Sequence, residues 1–124
     1  MSGGALWVGV ALAGGLGALA RLNVGALVAA RASGAFPWGT MAVNLTAALL
    51  AGLVHGLDLA GGTRVVVSVG ALGAFSTFST WMLDTVHLQR AGRRRAAAAN
   101  LAIALIAGAA LAGLGWWVGA ALAG

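Results

Sequence analysis

Four long apolar runs, parted by short stretches that carry most of the charge, make up this chain. Residues 4–30 are apolar except for Arg21 and Asn23. Residues 39–57 are interrupted by Thr40, Asn44 and Thr46, and residues 96–122 offer Asn100 as their one clear polar side chain. The remaining run, 65–87, starts as hydrocarbon and then fills with hydroxyls. At about 1.5 Å per residue, each can cross a hydrocarbon core of about 30 Å as a helix. The pattern predicts an all-α integral membrane protein, with one domain over 1–124, four transmembrane helices and almost nothing outside the bilayer. Connections are expected at 31–38, where Pro37 stands as a first helical turn accepts it, at 58–64, marked by Gly61 and Gly62, and at 89–95. Trp116 and Trp117 are placed to sit at a membrane interface.

The third run departs from a plain spanning pattern. Residues 65–69 lead in as hydrocarbon, and residues 70–84 then read GALGAFSTFSTWMLD. Phe75, Phe78 and Trp81 recur every third residue, with Ser76, Thr77, Ser79 and Thr80 in the gaps. Gly70 and Gly73 each weaken a helix by about 1 kcal/mol against alanine, and Ser and Thr offer the backbone alternative hydrogen bonds. The sequence therefore predicts a break in the third helix. At mid-membrane a break survives only where its freed amides and carbonyls are buried in protein or line a hydrated path. The stretch is accordingly expected to line an ion path.

Composition narrows the class. With 61% hydrophobic and 7% charged residues, and a mean hydropathy of +1.00, the chain has too little charge to cover a soluble domain. All seven cationic side chains are Arg, against Asp58 and Asp84, for a net charge of +5. That sign speaks of topology and not of nucleic acid. Arg31, Arg90, Arg93, Arg94 and Arg95 fall on one side, while the other carries Arg64 offset by Asp58. The bias predicts a cytoplasmic basic loop and both termini outside. No positive segment precedes the first run, so a cleaved signal peptide is not expected. The lack of cysteine removes disulfides, thiolate metal sites and thiol catalysis together. His55 and His87 have no Glu or Cys at ligand spacing, and no Ser/His/Asp set, paired carboxylates or phosphate-cradling loop suggests an enzyme.

The polar residues inside the runs carry the candidate chemistry. A charge at the depth of Arg21 costs roughly 2.5–3.5 kcal/mol on insertion scales. It either snorkels or pairs with a carboxylate such as Asp84, or faces a water-filled vestibule where it concentrates anions; the readings are compatible. Thr40 and Asn44, four residues apart, share a helix face. Asn44 reads equally as glue between helices and as an amide whose two donors replace water around a small anion. Rings three apart step back by about 60°, which suits packing against two neighbours. Their positive edges could also hold an anion without a full cation that would trap it; spacing alone favours packing. Glycines scattered through every run read as close helix contacts.

Three stretches then fall together: GGLGALAR (14–21), WGTMAVNLTAALLAGL (38–53) and GALGAFSTFSTWMLD (70–84). Their order resembles the Fluc fluoride channels, also called the CrcB family. The resemblance covers nearly the whole chain, and its G-T-x-x-x-N and G-x-F-[ST]-T-F-S-T blocks are together highly specific. It implies an antiparallel, inverted dimer of four-helix subunits in a bacterial cell membrane, with two narrow pores that passively export cytoplasmic fluoride. It implies that Asn44 is the pore amide of the second helix, with Thr40 on the same face. Phe78 corresponds to the first of the family's paired pore phenylalanines, Trp81 stands where the second usually stands, and Thr77 and Ser79 supply hydroxyls of the broken segment. Gly73 and Ser76 correspond to the positions whose backbone carbonyls hold a structural sodium ion at the dimer centre. Arg21 matches the arginine of the first helix at the anion vestibule, and Asp84 sits where a glutamate is usual. The implied partners are fluoride, membrane lipid and a second subunit in the opposite orientation. A bore selective for small, strongly hydrated fluoride must supply hydrogen-bond donors, and carbonyls freed at a helix break suit a hard cation.

Two other classes share the outline. A small multidrug exporter has the same length and four spans but needs a first-helix carboxylate to couple protons, and this first helix has none. A non-conducting structural subunit would use the same polar residues as glue. The five-to-one arginine bias also fits insertion in one orientation beside an oppositely biased paralogue, the homodimer being the family default.

Overall fold

The computed structural model describes residues 1–124, and every regular element is helical. α1 (Gly3–Arg31) begins at Ser2, whose hydroxyl accepts from the Ala5 N–H at 3.2 Å and so satisfies one orphan donor of the first turn. It ends as Ala32 turns extended, and Gly34 at φ 86° leads the chain to Pro37. α2 (Trp38–Gly56) starts directly after that proline. α6 (Arg94–Ala123) closes the chain.

Between them the third span is composite. α3 (Gly61–Val65) runs into a π-helical segment, Val66–Leu72, then a single turn, α4 (Gly73–Phe75), and after a gap α5 (Ser79–Arg90). The anticipated break is present at residues 76–78, where Ser76 turns extended with ψ 160°. The π-helical lead-in was not anticipated. Four segments are long and apolar enough to cross a membrane: Gly3–Arg31, Trp38–Gly56, Gly61–Arg90 and Arg94–Ala123.

The connections are tighter than the residue patterns suggest. Gly61 and Gly62, read as loop markers, form the first turn of α3 instead. The corner is made earlier, by Asp58 at φ 53° and Ala60 at ψ 144°, so residues 58–60 do the work of a longer loop. The basic connection is equally short. Gly92, at φ 78°, donates to Gln89 O at 3.1 Å and Arg93 N–H reaches Leu88 O at 2.9 Å, a Schellman end that closes α5 and reverses the chain.

α2 packs most extensively on α6, through paired small-residue motifs. Gly52 and Gly56 face Gly115 and Gly119, and a Cβ at any of the four would collide with the backbone of the opposite helix. Without water to drive association, such backbone approach is how membrane helices gain packing. On the other flank α1 lies against the π-helical segment, with Gly17 over the Ala71 carbonyl. Val43 and Ala47 of α2 meet Phe75 between these layers, with Val24 of α1 against them. Only 16 residues are buried, so most of the apolar surface of one chain faces outward, where lipid or another chain must cover it.

Candidate functional site

The site is the break itself. Ser76 N–H still closes on Leu72 O at 3.0 Å, and there the helical ladder stops. Thr77 N–H turns away to Asn44 Oδ1 at 2.9 Å, while Asn44 Nδ2 donates to Thr77 O at 2.8 Å. One side-chain amide on α2 thus satisfies both backbone groups of the residue at the centre of the gap. In a bilayer each of those groups, left alone, would cost several kcal/mol, so Asn44 is what allows the break to persist. Thr77 also caps α5: its Oγ1 accepts from Thr80 N–H at 3.2 Å, three residues on, as a helix N-cap does. The carbonyls of Gly73, Ala74 and Ser76 receive no backbone donor from across the gap.

Two concavities meet at Thr77. An open groove of about 400 Å³ is lined by Asn44, Ser68, Gly73, Ser76, Thr77, Phe78 and Trp81 among others. A cleft of about 250 Å³ on the other side holds Arg21, Thr40, Thr77 and Thr80. The nine sequence-predicted site residues therefore divide. Asn44, Thr77, Phe78, Trp81, Gly73 and Ser76 gather in the groove; Arg21 and Thr40 lie in the cleft, joined through Thr77. Ser79 lines neither and is exposed on the first turn of α5.

The three rings part company. Phe75 is buried in the core, whereas Phe78 is 70% exposed and stands out from the surface of the single chain. Trp81 lies edge-on to Phe78, with centroids 5.7 Å apart and planes at 78°. The break explains the divergence: once Ser76 turns extended, the 60° step between rings no longer holds. Arg21 does not pair with Asp84, because that carboxylate sits beyond the cleft beside Pro37, Trp38 and Thr40. The Arg21 Nε is enclosed without a partner. The ion pair that does form, Arg64 with Asp58 at 3.9 Å, is exposed and worth little.

Sequence reasoning missed three contributors. Ser68 lies in the apolar lead-in, yet its enclosed hydroxyl, without a partner, borders the groove. Thr80 was one hydroxyl among four until the cleft set it beside Arg21. Asn100 is fully enclosed and bonded to α5. A lone amide in a hydrocarbon helix was the available signal for it.

The fold and the site define a small multi-pass membrane protein with a helix reshaped at mid-span and with no group of His, Cys, Asp or Glu that could hold a metal ion. Residues 8–116 match the family described as CrcB-like protein, Camphor Resistance (CrcB). A protein named fluoride-specific ion channel FluC 1 from Symbiobacterium thermophilum is 47% identical over 122 residues, covering 94% of this chain and 95% of its own. FluC 2 of Mycolicibacterium paratuberculosis is 45% identical over 111 residues, covering 90% and 91%. FluC of Thermus thermophilus is 40% identical over 119 residues, covering 93% and 95%. The chain belongs to the CrcB family, a family of multi-pass bacterial membrane ion channels and not of enzymes.

Proposed function

We propose that this chain conducts fluoride passively out of the cytoplasm, as one subunit of an inverted dimer with two narrow pathways. The observation that carries the reading is the break held by Asn44. The Asn44 Nδ2 carries two hydrogens and uses one on Thr77. The other remains for an ion in the groove, next to the Thr77 and Ser76 side of the gap and the exposed Phe78 ring. Fluoride must shed tightly held water, and a wall of amide, hydroxyl and ring edges replaces it without a full charge that would trap the ion. Arg21, in the adjoining cleft with Thr40 and Thr80, supplies positive potential at the approach.

The exposed Phe78 and the outward apolar surface support a second, oppositely inserted subunit as what covers them. Carbonyl oxygens at Gly73 and Ser76 without backbone donors fit the donor set of a hard monovalent cation. Those two residues would hold the structural sodium, which supplies fixed positive charge between the subunits. Two relatives from one organism, FluC 1 and FluC 2 of Symbiobacterium thermophilum, at 47% and 43% identity, support pairing with a paralogue as the alternative to a homodimer. The arginine bias of this chain favours the same alternative.

The deciding test is a fluoride-electrode trace from proteoliposomes of the purified chain, with chloride for comparison. Rapid fluoride release with negligible chloride release is expected. A trace that leaks neither ion, from the chain alone and with a paralogue, overturns the reading in favour of a structural subunit.

A further inference from the structure

Trp81 is the indole among the groove residues, and its one polar atom is already engaged. Nε1–H donates to the backbone carbonyl of Asn100 on α6 at 3.0 Å. Asn100, 0% exposed, donates from Nδ2 to Thr85 Oγ1 at 2.9 Å. The Thr85 hydroxyl in turn donates to the Trp81 carbonyl at 2.9 Å. Trp81, Thr85 and Asn100 thus close a loop of hydrogen bonds between α5 and α6. The other face of the indole system is its edge contact with Phe78, a ring whose exposure leaves it little else to rest against.

Resting on the fluoride reading above, we infer that Trp81 is a positioning residue: its N–H belongs to Asn100 and is not offered to the anion, and its ring sets the orientation of Phe78. An indole N–H that released its carbonyl in hydrocarbon would lose a partner and gain no water, so the tie holds. The T-shaped contact then hands that fixed orientation to Phe78. A phenylalanine at this position would keep the contact and lose the anchor. The same loop accounts for the single amide of α6: Asn100 serves α5 and does not line the groove.

The test is a double-variant cycle read by fluoride efflux. Trp81→Phe is compared with the parent, then placed in a Phe78→Ile background. In the parent, Trp81→Phe is expected to slow efflux about three- to tenfold, the span one ordinary hydrogen bond supports. In the Phe78→Ile background it is expected to add less than about twofold, because the ring that the indole orients is gone. Equal losses in both backgrounds, or no loss at all, overturn the inference. A spectroscopic arm keeps Trp81 as the single tryptophan, with Trp7, Trp38, Trp116 and Trp117 changed to Phe. Its emission is expected to be unmoved by added fluoride, and a fluoride-dependent shift overturns the inference by putting the N–H on the ion. A parent chain that carries no fluoride defeats the functional reading and this inference with it; a conducting parent matched by Trp81→Phe defeats the inference alone.

Discussion

Asn44 shows how one contact separates two sequence readings. Spacing left it as glue or as an ion ligand, and its two bonds to Thr77 make it glue for the gap itself; the ion-ligand reading belongs to the proposed function. Asn44→Ala should therefore do two things. It should lower thermal stability in detergent by about 1–3 kcal/mol, the penalty for unpaired buried groups, and it should depress fluoride flux. Unchanged melting would mean that Thr77 finds other partners. Phe78→Ile should depress flux with the fold of the subunit intact, because the exposed ring makes no contact in the core of its own chain to lose; normal conduction would remove Phe78 from the pathway. Asn44, Thr77 and Arg21 were legible as a set because a hydroxyl, an amide and a charge are anomalous in hydrocarbon, whereas Phe78 stood out only through the family resemblance and its spacing alone read as packing. Ser68 was not, since one hydroxyl in a valine run carries no periodic signal.

At the level of elements, the broken third span was readable and its lead-in was not. Glycines and hydroxyls marked the gap, whereas the choice of π over α turns in Val66–Leu72 depends on what lies alongside. There Gly70 sits against Val10 and Ala13 of α1, a tertiary contact that the local sequence does not encode. Gly61 and Gly62 misled for the opposite reason: glycine marks a turn only if nothing nearby turns first, and Asp58 does. Thr77→Val should remove the cap of α5 and destabilise by about 0.5–2 kcal/mol in thermal unfolding, with the backbone bonds to Asn44 retained. Gly52→Val should be far more damaging, because its side chain would meet the α6 backbone at Ala112. Loss of a monodisperse gel-filtration peak is the expected result, and a normal peak would show that the α2–α6 seam can open.

For the whole molecule, the count and class of spans followed from hydropathy, because a bilayer allows few other ways to bury that much hydrocarbon. Whether a second subunit covers it did not, since the outward surface of a single chain looks the same to lipid as to a partner. Gly73→Val separates the two. Within one chain its first added carbon would lie 3.6 Å from Ser68 O, an ordinary contact, so the subunit itself should fold. Weaker dimers that no longer respond to sodium are expected, by cross-linking in sodium against a large organic cation. Dimers of unchanged strength under both conditions would count against a shared cation site.

The wide coil between Val66 and Leu72 has a consequence for how the protein could be re-engineered. A π turn is an α-helix carrying a surplus residue, so deleting one residue there would let the ordinary ladder resume. Everything upstream would then slip in phase by about 100° relative to the gap. Ser68 would leave the groove while Asn44 kept its grip on Thr77, uncoupling the two ends of a span that length alone would call intact.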